Sequence, residues 1–150
     1  MIIIGYQGIG KSTCYRHSNY IDLESGCFWH DGKRPDDWYI YYCQIAEHLS
    51  RQGNVVFVSS HQPVREFLRN SKEKVICIHP SIALRNEWIE KLYQRWKQSK
   101  LEKDYKAFAN ASCRYVEDIG EIMQSGIPCR SIDSMDYDLM QIIDTLFIFQ

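Results

Sequence analysis

The chain opens on an apolar run, Met1-Ile2-Ile3-Ile4, that breaks at once into Gly5-Tyr6-Gln7-Gly8-Ile9-Gly10-Lys11-Ser12. The run is short and β-branched, as suits a buried strand, and the glycines after it let the backbone fold tightly back on itself. The spacing G-x-x-x-x-G-K-[ST] is met at every fixed position, between a predicted strand and a helix start. A loop of this kind turns its N–H groups inward and makes a fixed anion hole for polyphosphate, helped by the positive end of the following helix. In that setting Lys11 bridges the β- and γ-phosphates, the Ser12 hydroxyl ligates Mg²⁺, and Thr13 supports the α-phosphate side. The expected nucleotide-binding set is therefore Gly5, Gly8, Ile9, Gly10, Lys11, Ser12 and Thr13, with ATP and Mg²⁺ as cofactors.

A strand entering such a loop needs a sheet around it. Three further short apolar runs read as buried parallel strands, Tyr20 to Leu23, Val55 to Ser59 and Val75 to His79, and Cys129 to Ile132 is a weaker fifth. Between them, Trp38, Tyr41, Tyr42, Ile45 and Leu49 fall on one helical face, introduced by Asp36 and Asp37 and closed by Gly53. Other helices begin near Pro63 and Ser81, the second carrying Leu84, Trp88, Ile89, Leu92 and Trp96 at helical spacing. Alternating strands and helices across 150 residues indicate one α/β domain, residues 1–150, with a mainly parallel sheet.

Composition narrows the partners. Lys and Arg number 18 against 19 Asp and Glu, so the net charge of -1 gives no global attraction to nucleic acid or an anionic membrane. The six cysteines form no C-x-x-C pair, which argues against a zinc ribbon or a thioredoxin-like motif and for reduced, partly buried thiols. The first residues lack a basic stretch and a long apolar run, so a cytoplasmic location is expected.

The loop alone does not separate kinases from switch GTPases or motor ATPases. The strand Val55 to Val58 ends in Ser59-Ser60-His61 with no acid, so a second metal-side carboxylate has to come from elsewhere. Asp22 and Glu24, two apart after the second strand, are expected to project together and to share a metal or a substrate; a solvated strand end is the plainer alternative. On Gly5 to Thr13, Asp22-Leu23-Glu24 and Val55 to His61, the chain resembles the small-molecule and nucleoside monophosphate kinases of the P-loop superfamily, especially the shikimate- and gluconate-kinase-like members. That family carries Asp-x-Asp at the second strand; this chain has Glu at the second acid.

The resemblance implies a three-layer P-loop fold with five mainly parallel strands in the order 2-3-1-4-5, a site at their carboxyl ends, and a first helix shortened by the brief connection from Lys11 to Asn19. It also implies transfer of the ATP γ-phosphoryl group to a small acceptor, with a nucleoside monophosphate preferred over a hydroxyl-bearing metabolite. Lys11, Asp22, Arg65 and Arg95 form the expected catalytic set, with Ser12 and Asp22 on the metal. Arg65 and Arg69 follow the third strand four apart on one helical face, toward the acceptor or simply toward solvent. His61 is a helix cap, a packing residue or an acceptor contact. Residues 91–106, rich in Lys and Arg, fall where these kinases place a mobile lid, with Arg95 the leading arginine, although interleaved acids also suit a solvated helix. Trp29, His30, Lys33 and Arg34 occupy the place of an acceptor loop, and Ser134 to Tyr137 that of an adenine loop. An ATP-binding regulatory module with slow hydrolysis is the alternative from another class.

Overall fold

The computed structural model of the chain describes residues 1–148, apart from the side chains of residues 15 and 16. Five strands, β1 (Ile2–Gly5), β2 (Tyr20–Asp22), β3 (Val55–Ser59), β4 (Val75–Pro80) and β5 (Cys129–Ile132), form one parallel sheet in the order β2-β3-β1-β4-β5. The apolar β1 is central because it is buried on both faces, which parallel strands under helices require. It pairs Ile2 with Val56 on one side and Val75 on the other, and brings Gly5 level with Ser59 and Ile78. The order expected from the family resemblance is the order found.

The order reverses at β1, and right-handed crossovers then put the β1–β2 connection on one face and the later connections on the other. On the first face the chain makes only a 3-10 helix, Lys11–Arg16, which α5 (Leu139–Ile148) packs against. The shortening expected from the sequence is thus carried further than a clipped α-helix. The opposite face carries α1 (Trp38–Arg51) against α2 (Gln62–Leu68), followed by α3 (Arg85–Ser99) and α4 (Glu102–Met123). α1 buries Trp38, Tyr42, Cys43, Ala46 and Ser50, an i, i+4, i+8, i+12 stripe widened by Cys43.

Residues 91–106 are the tip of an α3–α4 hairpin. The turn sits at Lys100, which takes the left-handed conformation (φ 57°) usually given to glycine. Rings of Tyr93, Trp96, Tyr105 and Phe108 interlock across it, and the buried Asp104 accepts from Arg95 Nε (2.9 Å) and Ser99 Oγ (2.5 Å). α4 is kinked at Arg114 and lays Ile119 and Ile122 into the core. No helix among the described residues is long and apolar enough to cross a membrane.

Candidate active site

The carboxyl ends of β1, β2 and β3 meet at one edge of the sheet, as the crevice rule for open α/β sheets leads one to expect. Tyr42, reaching up from α1, ties two of these ends together. Its hydroxyl donates to the Leu23 carbonyl (2.6 Å) and accepts from the Ser59 N–H (2.9 Å). Burial pushes this phenol far above its usual range, so it stays a neutral donor. At the edge so fixed, Lys11 Nζ stands 3.3 Å from Asp22 Oδ1, bringing the phosphate-loop lysine and the second-strand acid into one site.

The second-strand acids part company. β2 ends at Asp22, and Glu24 lies outside it, exposed, at the entry to a 3-10 turn over Ser25–Phe28. The shared strand face expected for the two does not form, because strand alternation stops before Glu24. Asp22 is the acid that stays at the site.

In the loop, Gly8 and Gly10 adopt φ of 84° and 93°, open to glycine and strained for other residues. At Gly8 a Cβ would also sit 2.8 Å from Leu92 Cδ2. Ile9 turns its side chain down into the core beneath Gly5. The Thr13 N–H (2.9 Å) and hydroxyl (2.7 Å) both donate to the Gly10 carbonyl, closing the first turn on itself. With six 3-10 residues in place of a long helix, little macrodipole is available, and positive charge at the loop rests mainly on Lys11.

A second lysine stands on the α3 side of the loop. α3 lies across the loop, with Trp88 Nε1 donating to the Gln7 carbonyl (3.0 Å). Tyr137 stacks on Trp88 at 5.9 Å and its hydroxyl lies 3.4 Å from the Gly8 carbonyl. Lys91 donates to that hydroxyl (2.8 Å) with Nζ 4.3 Å from the Trp88 ring centre and 4.9 Å from that of Tyr137. Burial, then the Arg95 charge, lowers the Lys91 pKa, while burial raises Tyr137 to about 12. A semi-buried ammonium held by two rings gains from an approaching anion. The sequence placed Lys91 in the lid and Tyr137 in the adenine loop, and the Trp88, Lys91, Leu92 spacing would have put all three on one face.

The remaining wall is aromatic. The Arg34 guanidinium lies 3.7 Å from the Trp38 ring centre and 5.0 Å from that of Trp29, and His61 sets its ring edge-on to Trp38 at 5.4 Å. His61 Nδ1 lies 2.8 Å from Ser59 Oγ, at the end of β3. Burial first, then the Arg34 and Arg65 charges, depresses the His61 pKa. The unfolded state therefore takes up the His61 proton at a higher pH than the native state, so this residue costs stability as pH falls below about 6.5. In a proton NMR titration His61, exposed overall but with its ring partly desolvated against Trp38, should titrate below that value, and Arg34→Ala should move it only part of the way back, because the partial desolvation and the Arg65 charge remain. A midpoint at or above about 6.5 would contradict this environment.

Other expected residues are engaged elsewhere. Arg65 is 6 % exposed; it donates to the Ser60 carbonyl and to Glu121 Oε2 (3.1 Å), pinning the end of β3 to α4. Arg95 is half exposed and bound to Asp104, one helical turn beyond Lys91. Arg69 lies alongside Gly126, toward a groove of about 390 Å³ at the amino-terminal edge of the sheet, away from the loop. For Mg²⁺, the hydroxyl of Ser12 and the carboxylate of Asp22 are hard oxygen donors of the kind that ion takes beside substrate phosphates. Both belong to the segments that frame Lys11, so the residues present suit the ion.

No protein-family model matches the chain, and no curated protein matches it by sequence. Among solved structures it is similar to a shikimate kinase from Acinetobacter baumannii in complex with shikimate. The two share 15 % identity over 99 % of this chain and 92 % of that one, with a TM-score of 0.53. At that identity the likeness shows the fold alone, a five-stranded parallel sheet in the order β2-β3-β1-β4-β5 between helices.

Proposed function

We propose that the protein is a Mg-ATP-dependent phosphotransferase that moves the γ-phosphoryl group to a small acceptor. The observation that carries the reading is the 3.3 Å approach of Lys11 to Asp22 at the strand ends, on a kinase fold without an acid after β3. Lys11 binds the β- and γ-phosphates and offsets charge on the transferring group, Ser12 and Asp22 would hold Mg²⁺, and Asp22 orients the acceptor oxygen. Bound there, the ion would supply charge neutralisation for the nucleotide phosphates. Lys91 reaches the same space from α3. Arg95, half exposed one turn away, would leave Asp104 for the phosphoryl group when residues 91–106 close as a lid.

A nucleoside monophosphate is the acceptor the site suits best. Trp29, Trp38 and Arg34 offer flat faces and a cation together, for a base and its phosphate. The shikimate bound to the structural neighbour supports a hydroxyl-bearing metabolite as the second acceptor class. An ATP-binding regulatory module is supported by a different observation, the tying of Arg65 and Arg95 into internal ion pairs.

Incubation with Mg-ATP and a panel of nucleoside monophosphates, nucleosides and hydroxy acids separates these readings. One acceptor is expected to stimulate ADP formation strongly over water and to appear as phosphorylated product, while residues 91–106 gain protection from amide exchange only when both substrates bind. Equal hydrolysis with and without every acceptor, and no phosphorylated product, would leave the regulatory module standing.

A further inference from the structure

β4 and β5 run parallel in a register that sets Cys77 opposite Cys129 and His79 opposite Ser131. Residues two apart on a strand share a face, so these four polar side chains form a square at the β5 edge of the sheet. The square lies outside the candidate kinase site and none of that chemistry uses it. Its two sulfurs differ in access. Cys77 is fully buried under α4, whereas Cys129 is exposed and, with His79, Ile82 and Met123, lines a cavity of about 410 Å³.

The backbones allow a bond between them. Neighbouring parallel strands lie about 4.8 Å apart, within the Cα separation of about 4.4–6.8 Å that a disulfide spans. His79 is 3 % exposed, with Nδ1 placed 2.9 Å from the Pro80 carbonyl, which fixes the proton on that nitrogen and leaves Nε2 free. The charged groups around the square are Arg65 of α2, beside Cys77, and Asp133 after β5, beside His79 and bonded by Ser131 Oγ at 2.7 Å. The hydrogen bond from Cys77, then the His79 ring, brings the Cys129 thiol down to about 5 against the effect of burial. The same contact and burial push Cys77 up. Cys129 Sγ, which donates to the Ile122 (3.6 Å) and Ile127 (3.3 Å) carbonyls, thus borders the cavity above a buried thiol, Cys77.

We propose that Cys129 and Cys77 are a thiol redox pair that reduces a hydroperoxide, Cys129 attacking and Cys77 resolving. The Cys129 sulfur gives up its proton and attacks the terminal peroxide oxygen, the O–O bond breaks, and the departing hydroxide or alkoxide takes up that one proton to leave as water or an alcohol. Sulfur is oxidised by two electrons to the sulfenic acid as the peroxide is reduced. The Cys77 sulfur then displaces that oxygen: the S–O bond breaks, the S–S bond forms, and the departing hydroxide takes the Cys77 proton to leave as water. A dithiol reductant returns both thiols.

The test uses the unmodified chain. At mildly acidic pH, iodoacetamide should alkylate Cys129 more than about tenfold faster than the exposed Cys27 and Cys113, because the larger thiolate fraction outweighs its weaker nucleophilicity. Equimolar hydrogen peroxide, followed by digestion without reductant, should yield a linked peptide pair containing Cys77 and Cys129, lighter by two hydrogen masses and separated by dithiothreitol. In Cys77→Ala the sulfenic acid should persist on Cys129 and be trapped by dimedone; since that variant can misfold, the peptide map of the unmodified chain decides alone. Alkylation of Cys129 no faster than of Cys27 and Cys113, or peroxide oxidation that leaves Cys77 and Cys129 unlinked, would overturn the proposal.

Discussion

Lys11→Ala is expected to abolish tight binding of Mg-ATP in a protein that still folds. The lysine rises from a loop whose backbone is shaped by its glycines and clamped from outside by Trp88, so removing the side chain leaves the cradle standing. Its ion pair with Asp22 is largely buried, with side-chain exposures of 24 % and 12 %, so the variant loses some stability, which its melting curve will read. The ligand loses far more. A preorganised charge aimed at polyphosphate, beside a 3-10 turn with little dipole to replace it, contributes on the order of 10²–10³-fold when deleted. Lys91, held by Trp88 and Tyr137 on the other wall, cannot substitute without abandoning both rings. Calorimetric titration of the variant, with a melting curve to show that it is folded, checks this. Unchanged affinity in a folded protein would remove the phosphate-loop assignment.

Asp22→Asn should leave nucleotide binding nearly intact and reduce turnover about 10²-fold or more, the scale of a misplaced catalytic group. The substitution keeps the shape of the side chain at the end of β2 and removes only its charge. It therefore deprives the metal of an anionic ligand and the acceptor oxygen of its orienting partner, while Lys11 remains to bind phosphate. Glu24→Gln serves as the internal comparison, since Glu24 is exposed and off the strand, and its effect should be small. Steady-state rates with the best acceptor, beside calorimetric ATP affinity, separate the two roles. Turnover near that of the unaltered protein in Asp22→Asn would sink the acid site.

The frame of the molecule was legible because its signals are local. Apolar runs of four to six residues and a glycine loop with fixed spacing carry their own meaning, and Val55–Ser59 and Cys129–Ile132 appear with the bounds read from the sequence. The brief span from Lys11 to Asn19 already implied a reduced first helix. What escaped depends on contacts across long stretches of chain. Nothing near Arg65 reveals that Glu121, 56 residues on, will turn its guanidinium inward. The hairpin turn at Lys100 lacks the glycine or proline that marks a helix end, so the end of α3 and the start of α4 read as one charged polar stretch. Glu24 misled for a simpler reason: the two-residue period holds only while the strand lasts, and β2 is three residues long.

The clamp on the phosphate loop has a consequence in time. Ribosomes deliver the loop before the side chains that clamp it: the Trp88 bond to the Gln7 carbonyl spans 81 residues and the Tyr137 bond to the Gly8 carbonyl spans 129. A nascent chain that has just exposed its lysine and glycines therefore owns the sequence of a nucleotide site without the site. Chains fold from the amino end as they emerge, and long-range contacts come late. The clamped loop is therefore complete only once Tyr137 has been made, and any ligand held there favours the clamped molecule over every shorter intermediate by simple mass action.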